Sequence, residues 1–287
     1  MFSPLILLCL LLVLLSGGCQ ARLRELFQAH PGLVFAVALG LAVLFCATAA
    51  CYHALSWRLG WLVLGYLLLP TACMRWLPRR WCLVDVAVIL MLWLPLEFAA
   101  GRNLVPRHAQ GVLHATAYGI ALVLALVLFL LVRRWQGMRY QLPKRAADLG
   151  NIAGGYLIAG ITLIPLGLAV GFLEHPHPPA LTAGRAAQRL AFIFFATAFP
   201  EEILFRALIQ NWFVQRLKRP WLAVLIAGVI FGAAHLDNGP GPLPNWRYMA
   251  VATVAGWILG TVFLRSTSVL ASAAVHAAIN LTKSLFF

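Results

Sequence analysis

Hydrophobic residues in this chain occur in long runs that are separated by short polar connectors. Crossing a bilayer takes a helix of about 17 to 25 mostly apolar residues. The pattern therefore predicts an all-α fold, a polytopic transmembrane helical bundle of about ten spans. The predicted spans are residues 2 to 17, 33 to 51, 59 to 73, 82 to 99, 111 to 132, 152 to 173, 190 to 213, 221 to 237, 248 to 264 and 269 to 286. The third span is short, which indicates a tilted or re-entrant helix.

The connectors contain most of the arginine and lysine residues. If successive spans alternate in direction, these residues favour one side of the membrane by about two to one. Because basic loops are retained in the cytoplasm, this bias supports about ten spans with the basic side cytoplasmic. Both ends of the chain are then expected on the outer side.

The first apolar run, residues 1 to 15, is followed by Ser-Gly-Gly-Cys ending at Cys19 and has the form of a lipoprotein signal. No lysine or arginine precedes the run, although signal peptides begin with a basic segment. Cleavage would also place Arg22 and Arg24 on the less basic side. We therefore expect the run to remain as a membrane helix.

Composition supports membrane insertion and excludes a soluble globular protein. The chain has 287 residues, of which 62% are hydrophobic and 10% are charged, and its mean hydropathy is +0.88. The net charge of +14 could suggest nucleic acid as a partner. Since the basic residues fall in the connectors, we expect the lipid bilayer as partner and no nucleic acid. The predicted location is multi-pass in a bacterial inner (cell) membrane.

The connector from Arg133 to Arg145 is the most polar stretch of the chain and divides it in two. Residues 1 to 147 are predicted to form an accessory amino-terminal transmembrane bundle, and residues 148 to 287 the catalytic transmembrane core. The first half holds only two acidic residues within a predicted span, Asp85 and Glu97. Both lie near the ends of that span, so we expect them at the membrane interface.

Two adjacent carboxylates and a guanidinium lie inside the seventh predicted span, in the sequence Phe-Pro-Glu-Glu-Ile-Leu-Phe-Arg that ends at Arg206. Each such group costs at least about 2.5 kcal/mol at membrane depth, so a cluster indicates a function. Glu202 and Arg206 are spaced i, i+4 and can form an ion pair. Glu201 points about 100° away and is expected to lack a partner, which suits a general base. The alternative is a buried ion network with a purely structural role.

Two further polar pairs follow on later spans. Phe231 and His235 end the eighth span, and His276 and Asn280 lie within the tenth. Each pair is spaced i, i+4 and shares one helix face. Such groups can be satisfied in a membrane only if the helices converge. The small residues around them permit close helix contact; they are Gly228, Gly232, Ala233, Ala234, Ala271, Ser272, Ala273, Ala274, Ala277 and Ala278.

This set of side chains suits hydrolysis. A glutamate and a histidine can hold and deprotonate a water molecule, while a histidine and an asparagine can donate hydrogen bonds to an oxyanion. Glu201, His235 and His276 could instead be ligands of Zn²⁺. The spacing leaves both possibilities open, because the sequence has no His-Glu-x-x-His motif and the three residues come from three helices.

Glu-Glu-x-x-x-Arg, Phe-x-x-x-His and His-x-x-x-Asn, in this order on successive apolar helices, resemble the three motifs of the CPBP family. These are the CAAX protease and bacteriocin-processing enzymes, also called Abi proteins, and they include the eukaryotic Ras-converting CAAX endopeptidase. The resemblance extends over roughly residues 152 to 287 and leaves out the first half of the chain.

The resemblance implies a role for each motif residue. Glu201 would activate water together with His235, and His276 and Asn280 would form an oxyanion hole. The other motif residues would have supporting roles; these are Glu202, Arg206 and Phe231. The resemblance also favours a metal-free glutamate mechanism, so we expect no cofactor, with zinc as the alternative.

The sequence thus predicts an intramembrane endopeptidase that hydrolyses a peptide bond in or near the membrane. Its substrate would be a membrane-anchored protein or peptide, in carboxy-terminal processing or sorting of membrane or surface proteins. Two alternatives stay open: a non-catalytic membrane interaction protein, and a proton-coupled transporter, since intramembrane Glu, Arg and His also mark ion paths. The chain has no evident inverted repeat, which speaks against transport.

Overall fold

A computed structural model of the chain describes residues 2–77, 82–179, 181–239 and 242–287. Within these ranges the regular secondary structure is entirely helical, and no strand is present. The predicted all-α fold is confirmed. The chain separates into two compact units, Met1–Gln136 and Gly137–Phe287. The accessory and catalytic roles expected for residues 1 to 147 and 148 to 287 stay predictions.

The amino-terminal unit packs its helices around one central helix. The helices in its described residues are α1 (Phe2–Val13), α2 (Gly17–Ala29), α3 (Leu33–Cys51), α4 (Trp57–Trp76), α5 (Cys82–Glu97) and α6 (Arg107–Leu126). α6 continues as the π-helical segment Val127–Val132. Of the membrane-length helices of this unit, α6 with this segment is the most buried, and α1, α3 and α5 all contact α6.

The two acidic residues of α5 have different environments. Glu97 is exposed, and its Oε2 accepts a hydrogen bond of 2.9 Å from Nε1 of Trp93. Asp85 is only 3% exposed, and its Oδ1 lies 3.8 Å from Nε of Arg133. Asp85 is thus buried inside the unit beside a basic partner that follows the segment Val127–Val132, and the expected interfacial position of the two acidic residues stays a prediction.

The carboxy-terminal unit contains seven α-helices in its described residues. They are α7 (Ala147–Ala169), α8 (Ala183–Ile193), α9 (Phe199–Glu202), α10 (Asn211–Leu217), α11 (Pro220–Ala233), α12 (Trp246–Arg265) and α13 (Val269–Phe286). The π-helical segments Phe194–Ala198 and Ile203–Gln210 join α8, α9 and α10, so helical backbone runs unbroken from 183 to 217. Pro200 supplies no backbone N–H, and the wider π spacing lies directly before it. Such π-helical turns occur frequently at functional sites.

Six helical stretches of the described chain are long and apolar enough to cross a membrane: Leu33–Cys51, Trp57–Trp76, Arg107–Val132, Ala147–Ala169, Trp246–Arg265 and Val269–Phe286. A seventh would be the pair α1 and α2, which are bent by 95° relative to each other. The prediction of about ten spans is not confirmed. Several predicted spans correspond to shorter helices, such as the 14 residues of α11.

Helices α11 and α12 approach each other most closely at glycines. A Cβ atom added to Gly256 would lie 2.8 Å from Cα of Gly228, and one added to Gly232 would collide with the hydroxyl of Thr253. Any larger residue at these positions would push the two backbones apart. The close contact matters for the site because α11 carries Phe231 and leads into His235.

The turn between α12 and α13 is tied to the start of the unit by polar contacts. A carboxylate oxygen of Asp148 accepts a hydrogen bond of 2.9 Å from the backbone N–H of Thr267, and its other oxygen accepts from the Thr267 hydroxyl. Arg139 donates to the carbonyl of Ser266. These contacts fix where α13 begins, and so where its polar face lies.

Candidate active site

Glu202 and Arg206 form the buried centre of the site. Both side chains are 0% exposed, and Nε of Arg206 donates to Oε2 of Glu202 over 3.1 Å. The i, i+4 ion pair expected from the sequence is therefore present, although Arg206 lies in a π-helical segment. At this burial a carboxylate is stable only with a charged or hydrogen-bonded partner.

His276 of α13 joins both carboxylates. Its Nδ1 lies 3.2 Å from Oε1 of Glu202, and its Nε2 lies 3.8 Å from Oε2 of Glu201. The expectation that Glu201 lacks a partner is thus wrong, because α13 packs against α9 and inserts the ring beside both groups. The Glu201 side chain is 23% exposed, whereas Glu202 is fully buried. Of the two carboxylates, only Glu201 is partly exposed, and its Oε2, the oxygen nearest His276, is buried.

The guanidinium of Arg206 is also held by an aromatic ring. Its Cζ lies 4.8 Å from the ring centroid of Phe231, a cation–π contact that offsets part of the cost of burial. Phe231 also makes an edge contact of 5.7 Å with the ring of His276. One aromatic side chain of α11 therefore packs against both the cation and the histidine of the cluster.

His235 follows the end of α11. Its Nδ1 lies 2.8 Å from the carbonyl oxygen of Phe231, and because a carbonyl only accepts, Nδ1 carries the proton. In the neutral ring this leaves Nε2 as a hydrogen-bond acceptor. The ring packs against Phe231 at 4.8 Å and against Tyr248 at 4.6 Å. His235 is thus fixed in position and tautomer by its neighbours.

A cavity of about 500 Å³ lies beside these groups within the carboxy-terminal unit. Its wall is mostly apolar and includes His235, His276 and Asn280. Glu201 is not among the described lining residues, and it contacts one of them, His276. A mainly apolar cavity with a few convergent polar groups is the usual form of a ligand site.

The cavity also contains residues that the motifs did not identify. Phe172 and Tyr248 stack on each other at 4.7 Å, and Nζ of Lys283 lies over both rings. Lys283 belongs to none of the three motifs. Its spacing of three residues from Asn280 and seven from His276 places it on the same helix face, a signal that the sequence already contained.

The alternative zinc site would use Glu201, His235 and His276. Throughout the part of the chain that the structure describes, no group of three or more His, Cys, Asp or Glu residues is arranged to hold a metal ion. Nδ1 of each histidine contacts a protein oxygen, of the Phe231 carbonyl or of Glu202, which leaves Nε2 as the nitrogen that could bind a metal. As arranged here the three side chains do not form a zinc site, and the expected absence of a cofactor stays a prediction.

Residues 184–282 match the family model described as Type II CAAX prenyl endopeptidase Rce1-like. The resemblance to the CAAX proteases is confirmed. The matched region includes all three motifs and covers less than half of the chain. No curated protein and no solved structure gives a significant match. Together with the long apolar helices, the match indicates a multi-pass membrane protein.

Proposed function

We propose that the protein is an intramembrane endopeptidase that hydrolyses a peptide bond in or near the membrane. The observation that carries this proposal is the contact of Glu201 with His276, at 3.8 Å, beside an apolar cavity that His235 and Asn280 also line. The Rce1-like match over residues 184–282 supports a CAAX-protease type of activity. The substrate would be a membrane-anchored protein or peptide.

Glu201 would act as the general base. It is the partly exposed carboxylate of the pair, and the acceptor Nε2 of His235 could orient the water molecule that Glu201 deprotonates. The water oxygen attacks the carbonyl carbon of the substrate while Glu201 takes a proton. The resulting tetrahedral intermediate collapses, the C–N bond breaks, and the proton passes from Glu201 to the departing amine.

His276 and Asn280 would stabilise the oxyanion of that intermediate. They lie one turn apart on α13 and line the cavity together. Because an ionised carboxylate only accepts, Nδ1 of His276 carries the proton in its contact with Glu202. To donate a hydrogen bond to the oxyanion, Nε2 must carry a proton as well, so the ring must be doubly protonated. The carboxylates of Glu201 and Glu202 balance the positive charge of that ring.

Glu202, Arg206 and Phe231 would position the catalytic groups. Glu202 holds the ring of His276, and Arg206 compensates the charge of Glu202. Phe231 provides the carbonyl that fixes His235 and the ring that contacts Arg206. None of these steps uses a metal. We further propose that the protein acts in a bacterial inner membrane, in carboxy-terminal processing or sorting of membrane or surface proteins.

The test compares new protein termini in membranes from cells that carry the intact protein or Glu201→Gln. The amide keeps the shape of the side chain but cannot accept the proton, so one set of cleaved termini should disappear completely. Glu97→Gln is the matched control: Glu97 accepts one hydrogen bond from Trp93, which an amide oxygen can also accept, and cleavage should persist. Identical termini in all three samples, with equal insertion of the proteins, would refute the proposal.

A further inference from the structure

Lys283 lies on the catalytic face of α13. His276, Asn280 and Lys283 are spaced i, i+4 and i+7, and all three line the cavity of about 500 Å³. At 1.5 Å per residue, Lys283 lies about 10 Å along the helix axis from His276. The cavity therefore has proposed oxyanion donors at one end of this face and a lysine at the other.

No acidic side chain of the cavity wall balances the charge of Lys283 among the described residues. Among the described residues of the wall it is the only Lys, Arg, Asp or Glu, and within the described ranges no carboxylate lies within 4.0 Å of its Nζ. The ammonium lies 4.0 Å from the ring centroid of Phe172 and 5.0 Å from that of Tyr248. These contacts hold the cation and leave its N–H groups able to donate.

We propose that Lys283 determines specificity by binding a carboxylate of the substrate near the bond that is cut. This inference rests on the proposed endopeptidase function. A charge-assisted hydrogen bond is strong where the surroundings are apolar, and here it would supply the missing negative charge. A phosphate is a poorer fit, since phosphate sites usually combine several donors or a bidentate arginine, and Lys283 is alone.

The distance between Lys283 and His276 limits where this carboxylate can lie in the substrate. An extended peptide advances about 3.3 to 3.6 Å per residue, so a carboxylate at Lys283 lies within a few residues of a carbonyl bound at His276 and Asn280. It could be the carboxy-terminal group of the substrate or the side chain of an aspartate or glutamate. Both sources present the same chemistry to the lysine.

Peptide binding tests the inference without requiring cleavage. The full-length protein with Glu201→Gln is placed in phosphatidylcholine nanodiscs and titrated with three pools of fluorescent octapeptides, randomised over residues other than Asp and Glu. One pool ends in a free carboxylate, the second in an amide, and the third in an amide with one glutamate added. At least one carboxylate pool should bind about tenfold more tightly than the neutral pool. The pool that does so identifies the source.

The variant Lys283→Met should abolish this preference by weakening only the binding of the carboxylate pool, while Lys283→Arg should retain most of it. Lys144→Met removes the same charge from an exposed position outside the cavity and should change nothing. Equal binding of all pools, or a preference that survives Lys283→Met, would overturn the inference. So would Lys283-dependent binding of an anionic lipid with no preference among the peptides. Cleavage of the same pools by protein with Glu201 intact reports separately on the proposed function.

Discussion

Each of the two units contains a partly open cavity, and the larger cavity has fewer groups in its wall that could take part in acid–base chemistry. The amino-terminal unit has a cavity of about 950 Å³ whose lining includes one histidine, His114, and no carboxylate among its described residues. The cavity of the carboxy-terminal unit, about 500 Å³, is lined by two histidines and Asn280 and lies beside Glu201. Convergent polar chemistry, more than volume, distinguishes the candidate active site.

Each unit also buries one arginine near a carboxylate, and again the surroundings differ. Arg133 lies 3.8 Å from Asp85 and makes further contacts to Sδ of Met74 and the carbonyl of Leu77, neither of which titrates. Arg206 lies 3.1 Å from Glu202, which in turn contacts His276. The ion pair of Arg206 and Glu202 continues to a histidine and to the carboxylate of Glu201, an arrangement of titratable groups that can move a proton.

Substitution of a histidine should produce the largest difference between the two units in the rate of peptide hydrolysis. His276→Gln removes the ring that contacts both carboxylates, and we expect the rate of peptide hydrolysis to fall by about 10²- to 10⁴-fold. His114→Gln makes the same change in the wall of the larger cavity and should leave the rate within about twofold. Rates are measured on the natural cleavage site once its termini are known. A comparable loss in both variants would abolish the distinction between the cavities.

The parts of this site that the sequence predicts are those set by local geometry. Glu202 and Arg206 meet because an i, i+4 spacing places them together on one helix. The contact of Glu201 with His276 depends on how α13 packs against α9, and no local spacing encodes that packing. Tyr248 was missed for the same reason, since a tyrosine near the start of an apolar helix has no signal of its own.

The ends of the helices also depend on tertiary contacts that the sequence pattern does not reveal. Apolar runs predict that helices exist, but a helix ends where caps, prolines and tertiary contacts end it. The eighth predicted span extended to residue 237, whereas α11 ends at Ala233 and His235 lies in the turn beyond it. That turn places Nδ1 of His235 on the carbonyl of Phe231, a contact that a continuing helix would not favour.

The second largest effect is expected on the free energy of unfolding when a buried arginine is replaced. Arg206→Met removes the cation nearest to the buried carboxylate of Glu202, which should cost about 3 to 5 kcal/mol and lower the apparent unfolding temperature in detergent. Adding Glu202→Gln should recover much of that loss without restoring hydrolysis, because the stranded charge is gone. Arg133→Met should cost less, since its ion pair is longer. An Arg206→Met protein as stable as the parent would show that Glu202 is neutral or compensated elsewhere.

A smaller effect should follow from the glycine contact between α11 and α12. Gly256→Ala places a methyl group 2.8 Å from Cα of Gly228, so the helices must separate at a cost of about 1 to 3 kcal/mol. Gly154→Ala in α7 has no heavy atom within 4 Å and should stabilise the protein by about 0.5 to 1 kcal/mol through helix propensity. Opposite shifts of the unfolding temperature support the packing; shifts of the same sign would contradict it.

The smallest expected effect is that of a metal chelator, for which we expect no change in the rate of peptide hydrolysis by the purified protein. In the proposed mechanism no metal takes part, since Glu201 and His235 would activate the water and His276 would stabilise the oxyanion. The measurement pairs hydrolysis rates before and after chelation with the zinc content of the active fraction. Activity lost to the chelator and regained with zinc alone would contradict this mechanism, with Nε2 of the histidines and Glu201 as zinc ligands and Glu201 no longer the base.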